Sequence, residues 1–133
     1  MKAWTAKALA LTLFAAAAAT GAAAPALAGD NVVVKGNFEG RSKHITTGGV
    51  TIKKSGDGYV VEWGENFSLD GAPDPKLGFG KGGKFDHGTT FSELKSKTGG
   101  QSYTTGTFDG KKHDEIYVWC EKFNVPLGVA TLK

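Results

Sequence analysis

The chain has 133 residues, 16 basic against 13 acidic, and a single cysteine. That length suits one domain and little more, the near balance of charge leaves no electrostatic footprint for nucleic acid, and one thiol excludes an internal disulfide framework. A fold of this size must then be held by an apolar core, for which tryptophan, tyrosine and phenylalanine together make up 11% of the residues.

In chain order, the first element reads as a targeting segment. Lys2 and Lys7 give a basic start, an alanine-dominated apolar run spans 8–19, and Ala26-Leu27-Ala28 supplies a small-x-small cleavage site. The expectation is a signal peptide over 1–28 and a domain over 29–133, periplasmic or secreted. Thr20, Gly21 and Pro25 interrupt a stretch that would need roughly 20 apolar residues to span a bilayer. Removal of Lys2 and Lys7 leaves 14 basic residues against 13 acidic ones. The lysines that follow are scattered through turns and strand edges, as a solvated surface requires.

From residue 32 onward the pattern is that of short strands separated by glycine-rich turns, with no segment that keeps a helical apolar period over three turns. Residues 32–39 open on a β-branched run. The stretch HITTGGVTIKK (44–54) and the stretch YVVEWGENF (59–67) flank Ser55-Gly56-Asp57-Gly58, and this predicts a hairpin. LDGAPDP (69–75) is loop chemistry. A brief strand is expected over 76–79, one helical turn around Ser92-Glu93-Leu94, and strands over 101–107, 115–123 and 125–132. Seven or so short strands at this spacing predict an all-β fold, a single antiparallel sandwich or barrel-like domain.

Alternation along 115–123 sends Ile116, Val118 and Cys120 to one face of the strand and Tyr117, Trp119 and Phe123 to the other. Cys120 then packs as a small apolar side chain. A reactive thiol would instead need solvent access and a nearby cation, for which Lys122 is the neighbouring candidate. The residues by themselves favour the packed thiol, and both readings stay open.

Trp119-Cys120-x-x-Phe123 followed by Val125, Gly128 and Ala130 resembles the C-terminal signature of the DM-thirteen domain family. Upstream, Gly36-Asn37-Phe38, His44, the strand GGVTI at 48–52, Asn66-Phe67, the Gly-Ala-Pro-Asp loop at 71–74 and Gly100-Gln101-Ser102-Tyr103 follow in the same order, so the resemblance runs over about 34–132. Here Ala72 stands where many relatives run glycine directly into proline-aspartate, and the strand after the loop is less aliphatic. The resemblance implies an extracytoplasmic β module, DOMON-associated, with a proposed part in electron transfer. It places Cys120 as the redox candidate, either as a thiol or as a ligand to a prosthetic group such as haem, with His44 as a further possible ligand.

The remaining sites are sparse. No Cys-x-x-Cys-His motif supports covalent haem, and His87 and His113 read as turn histidines. Asp70 and Asp74 flank a proline loop that could offer oxygen ligands to calcium, yet they miss the EF-hand spacing, so no metal is expected. Elbow, zincin and phosphate-loop motifs are missing, and GFGKGGK (78–84) reads as a flexible turn; a stand-alone enzyme is not expected. The alternative to redox is a non-catalytic, monomeric binding module whose Trp119 and Tyr117 face, with Asp74 nearby, meets a protein or glycan.

Overall fold

The structure, a computed structural model, describes residues 32–133, so the expected signal peptide lies outside the described residues. Eleven strands follow one another: β1 (Val32–Gly40), β2 (Thr46–Thr47), β3 (Gly49–Ser55), β4 (Gly58–Trp63), β5 (Ser68–Leu69), β6 (Pro75–Lys81), β7 (Lys84–Asp86), β8 (Ser92–Glu93), β9 (Gln101–Thr105), β10 (Glu115–Cys120) and β11 (Val125–Thr131). Nine of them form one antiparallel sheet in the order β7-β6-β10-β11-β1-β3-β4-β9, with β8 added beside β6. The sheet curls into a half-barrel, and β2 and β5 form a separate two-stranded ladder. The fold is therefore all-β, built around one large sheet wound on itself.

Sequence chemistry explains the strand boundaries. The β3–β4 hairpin forms over Asp57 and Gly56, with Lys54 paired to Tyr59 and Ser55 to Gly58. The run 44–54 is split at Gly48, whose φ of +111° breaks the extended backbone between β2 and β3. The extended run expected over 59–67 stops at Trp63, because Gly64 to Phe67 form a turn closed by Phe67 N–H donating to Gly64 O at 3.0 Å. The helical turn expected at 92–94 is instead strand β8. A one-turn 3₁₀ helix lies earlier, at His87–Thr89, where Thr89 Oγ1 donates to Asp86 O at 2.6 Å and accepts from Phe79 N–H at 2.7 Å.

Inside the curl lies the main core, led by Phe38, Ile52, Val61, Trp63, Phe67, Leu77, Phe79, Ile116, Val118 and Leu127. Aromatic rings tie its far ends together, with Phe38, Phe67 and Tyr103 all packed edgewise or tilted on Trp63 at 5.2–5.7 Å. The gap between edge strand β9 and the 88–98 segment is closed by side chains. Tyr103 packs on Phe91, Thr107 Oγ1 donates to Thr89 O at 2.8 Å, and Lys95 N–H donates to Tyr103 Oη at 2.9 Å.

A smaller cluster covers the outer face of β10 and β11. Tyr117, Trp119 and Val129 are buried there beneath Phe85 of β7. Among the described residues no helix is long and apolar enough to cross a membrane.

Candidate functional site

A concave surface lies on the outer side of β1, β3, β4 and β9, with a volume of about 1110 Å³. Period-two alternation builds it. Val50, Ile52, Val61, Trp63 and Tyr103 point into the core, so the intervening residues face outward. Register then aligns them across the sheet: Lys35 opposes Thr51, Thr51 opposes Glu62, and Glu62 opposes Ser102. The result is one continuous row of polar side chains across four strands.

The adjoining row has almost no side chains. Asn37 opposes Gly49, Gly64 N–H donates to Gly49 O at 2.8 Å, and Gly100 precedes Gln101, the partner of Trp63. Three glycines lie side by side here, and side chains reach over two of them: a Cβ at Gly64 would stand 2.7 Å from Asn66 Oδ1 and one at Gly100 2.6 Å from Glu65 Oε1, so the open part of the row is the recess at Gly49, beside Asn37. At Gly49 an added Cβ would sit 3.6 Å from Asn37 Oδ1 and 4.0 Å from Asn66 Oδ1, which is ordinary contact, so the fold leaves room for a side chain that the sequence does not supply. The lining charges are mixed, with Lys35 and Lys133 against Glu39, Glu62 and Glu65; of these Glu62 pairs with Lys53 at 2.8 Å and Glu39 with Arg41 at 3.6 Å.

Cys120 ends β10 on the core side, alongside Ile116 and Val118, and is 1% exposed. Its Sγ–H donates to Pro73 O at 3.2 Å, and Phe123 N–H donates to Sγ at 3.4 Å. The loop before β6 thus lies directly on the sulfur, and it is pinned there by Glu121 N–H donating to Asp74 O at 3.1 Å. Among the described residues no imidazole or ammonium bonds to the thiol. Lys122 and Phe123 are in the turn after the strand, with the Lys122 ammonium 5.6 Å from the Phe123 ring and Phe123 61% exposed. Phe123 therefore leaves the face it was expected to share with Trp119, because β10 stops at Cys120.

Tyr117 and Trp119 do share a face, yet they are covered. Phe85 stacks on Trp119 at 4.6 Å with planes 11° apart, and His87 meets the same indole edgewise at 5.1 Å. Burial and the neighbouring Glu115 carboxylate push the Tyr117 phenol well above its ordinary range, and its hydroxyl donates to Glu115 Oε1 at 3.0 Å. An open aromatic platform is not what these rings make.

His44 is engaged elsewhere, with Nδ1 2.9 Å from Asp70 Oδ1. Asp70 is held below the usual carboxylate range, first by the Ile45 N–H at 3.0 Å and then by His44. Asp74, at φ +53°, directs its carboxylate to Lys76 at 3.0 Å. The two loop aspartates therefore serve as local anchors for the chain. His113 is buried with Nε2 3.3 Å from Asp86 Oδ2, whereas His87 lies against the Phe85 ring. Among the described residues no three of His, Cys, Asp or Glu gather as a metal site.

Sequence reading gave no binding role to the residues of the polar trough, although Asn37, Gly49, Thr51 and Ser102 lie in segments that carry the family resemblance. Each outward position looks like an ordinary solvated strand residue, and only the register of four strands brings Lys35, Thr51, Glu62 and Ser102 into line. Comparison with known proteins finds no family model, no curated protein and no solved structure that matches this chain.

Proposed function

We propose that the chain is an exported, non-catalytic binding module whose trough across β1, β3, β4 and β9 takes a segment of a neutral oligosaccharide. The observation that carries this reading is the glycine row beside the polar row. The recess at Gly49, floored by backbone, admits the edge of a flat ring, and the carboxylates, amides and hydroxyls around it suit the alternating donors and acceptors of sugar hydroxyls. The mixed signs of the lining charges match a neutral ligand better than a polyanion. Binding of the purified protein to an array of neutral glycans is the test. Retention by one structural class, lost in Gly49→Val, is the expected result; no retention by any neutral glycan overturns the reading.

A second reading keeps Cys120 as the group for electron transfer, as the resemblance to the DM-thirteen family implies. What favours it is that the two segments carrying that resemblance meet, with Pro73 O on the Cys120 sulfur. The buried thiol is well suited to packing, so redox work would require the 71–74 loop to lift. Labelling of the native thiol within minutes at neutral pH supports this second reading; labelling only in denaturant removes the free-thiol form of it.

A further inference from the structure

We propose that the β6–β7 hairpin and the turn at 109–113 form a second binding site, independent of the trough, for a tetrahedral oxyanion carried as phosphate or sulfate. A hollow of about 420 Å³ lies between these two elements. Lys81 and Lys84 line it from the hairpin, and Lys112 lines it from the turn, so its cations come from segments some thirty residues apart in sequence.

Lys81 and Lys84 are direct cross-strand partners. Like charges in that position repel, at a cost of some tenths of a kcal/mol unless a counter-charge lies between them. Among the described residues none is supplied: the six ion pairs there involve neither of these lysines, nor Lys112. The one acid lining the hollow is already committed. Asp86 Oδ2 faces His113 Nε2 at 3.3 Å, and its Oδ1 accepts from Gly88 N–H at 3.0 Å.

The surroundings are fixed before any ligand arrives. Asp109 N–H donates to His113 Nδ1 at 3.3 Å, and the Nε2 of the same ring faces Asp86 Oδ2 at 3.3 Å. The His113 ring is buried and stacks on Phe79 at 5.9 Å. Asp109 itself accepts from Lys111 N–H at 2.9 Å and so closes its own turn. On the opposite side the hairpin is tight, with Gly82 and Gly83 at φ +61° and +83° and Gly83 N–H bound to Glu115 Oε1 at 2.9 Å. Both lysine-bearing backbones are thereby held, and three lysines line one opening with no ion-pair partner among the described residues.

The experiment follows backbone amide resonances of the ¹⁵N-labelled full chain during separate additions of potassium phosphate, sulfate and chloride at matched ionic strength. Saturating shifts at residues 81–84 and 112–113 with phosphate or sulfate, and none with chloride, are expected; the tighter of the two anions identifies the source. Lys84→Gln with Lys112→Gln should weaken that binding by about tenfold or more, as loss of charge-assisted hydrogen bonds entails, while Lys95→Gln, on a distant segment, leaves it unchanged. Shifts that rise without saturation, that appear equally with chloride, or that survive the double substitution overturn the proposal. The trough residues 35–37 and 49–51 report in the same spectra, so loss of one site is distinguishable from loss of the other.

Discussion

Replacing Gly49 separates a glycine kept for the fold from one kept for a surface. Its φ lies outside the left-handed region, and a Cβ built there meets nothing nearer than 3.6 Å. Glycine inside a strand is worse than alanine by roughly 0.5–1 kcal/mol, so Gly49→Ala should stabilise the domain by about that amount. For a domain of this size the gain corresponds to a rise in Tm of roughly 2–8 °C. Neighbouring glycines predict the opposite. A Cβ at Gly48 would stand 2.4 Å from Phe67 Cα at a φ of +111°, and one at Gly64 would stand 2.7 Å from Asn66 Oδ1. Urea unfolding of the three alanine variants, followed by tryptophan fluorescence, is the assay. Destabilisation of Gly49→Ala by more than about 1 kcal/mol would refute the reasoning, because the glycine would then be required by the sheet and the recess would be incidental.

Two further outcomes follow from the packing. Phe85→Ala should cost about 2–3 kcal/mol, since a half-buried ring and its stack on Trp119 are both lost, and it should shift tryptophan emission to the red as Trp119 is uncovered; unchanged emission would contradict the covering role of β7. The carboxyls of Asp70 and Asp86 lie below their ordinary range in the folded chain, the first chiefly through the Ile45 N–H and the second chiefly through His113. A depressed folded value stabilises the protein above the unfolded value of about 4 and is lost as pH falls through the folded one. The urea midpoint should therefore drop below pH 4, and the drop should be smaller in Asp70→Asn; an equal drop in both would show that Asp70 contributes nothing.

Much of the fold was legible because its strands alternate. The β3–β4 hairpin follows from Ser55-Gly56-Asp57-Gly58, and the division of β10 into an Ile116-Val118-Cys120 face and a Tyr117-Trp119 face follows from period two alone. Local exceptions came from side chains that act on backbone. Thr89 collects the 87–89 segment into a turn through its hydroxyl, and no apolar period signals this. Phe123 is exposed because the turn at 121–124 begins immediately after Cys120, with Asn124 N–H donating to Cys120 O at 2.7 Å and Asn124 at φ +57°.

The trough was not legible for a different reason. Lys35, Thr51, Glu62 and Ser102 lie in four strands whose order in the sheet is β1-β3-β4-β9, and a slip of one residue in any pair would turn one of them into the core. The burial of Trp119 was similarly hidden, since it depends on β7 folding back across β6 to place Phe85 on the indole. Periodicity assigns a face to a residue; it does not say what covers that face.

The account rests on the trough being the place where a ligand is held. The most direct measurement maps backbone amide shifts of the labelled protein as the best-retained neutral glycan is added. The prediction is that shifts concentrate at 35–37, 49–51, 62–65 and 100–102, saturate with one affinity, and vanish in Gly49→Val. Saturating shifts centred instead on the 70–74 loop and Cys120, with the glycine row silent, would contradict it.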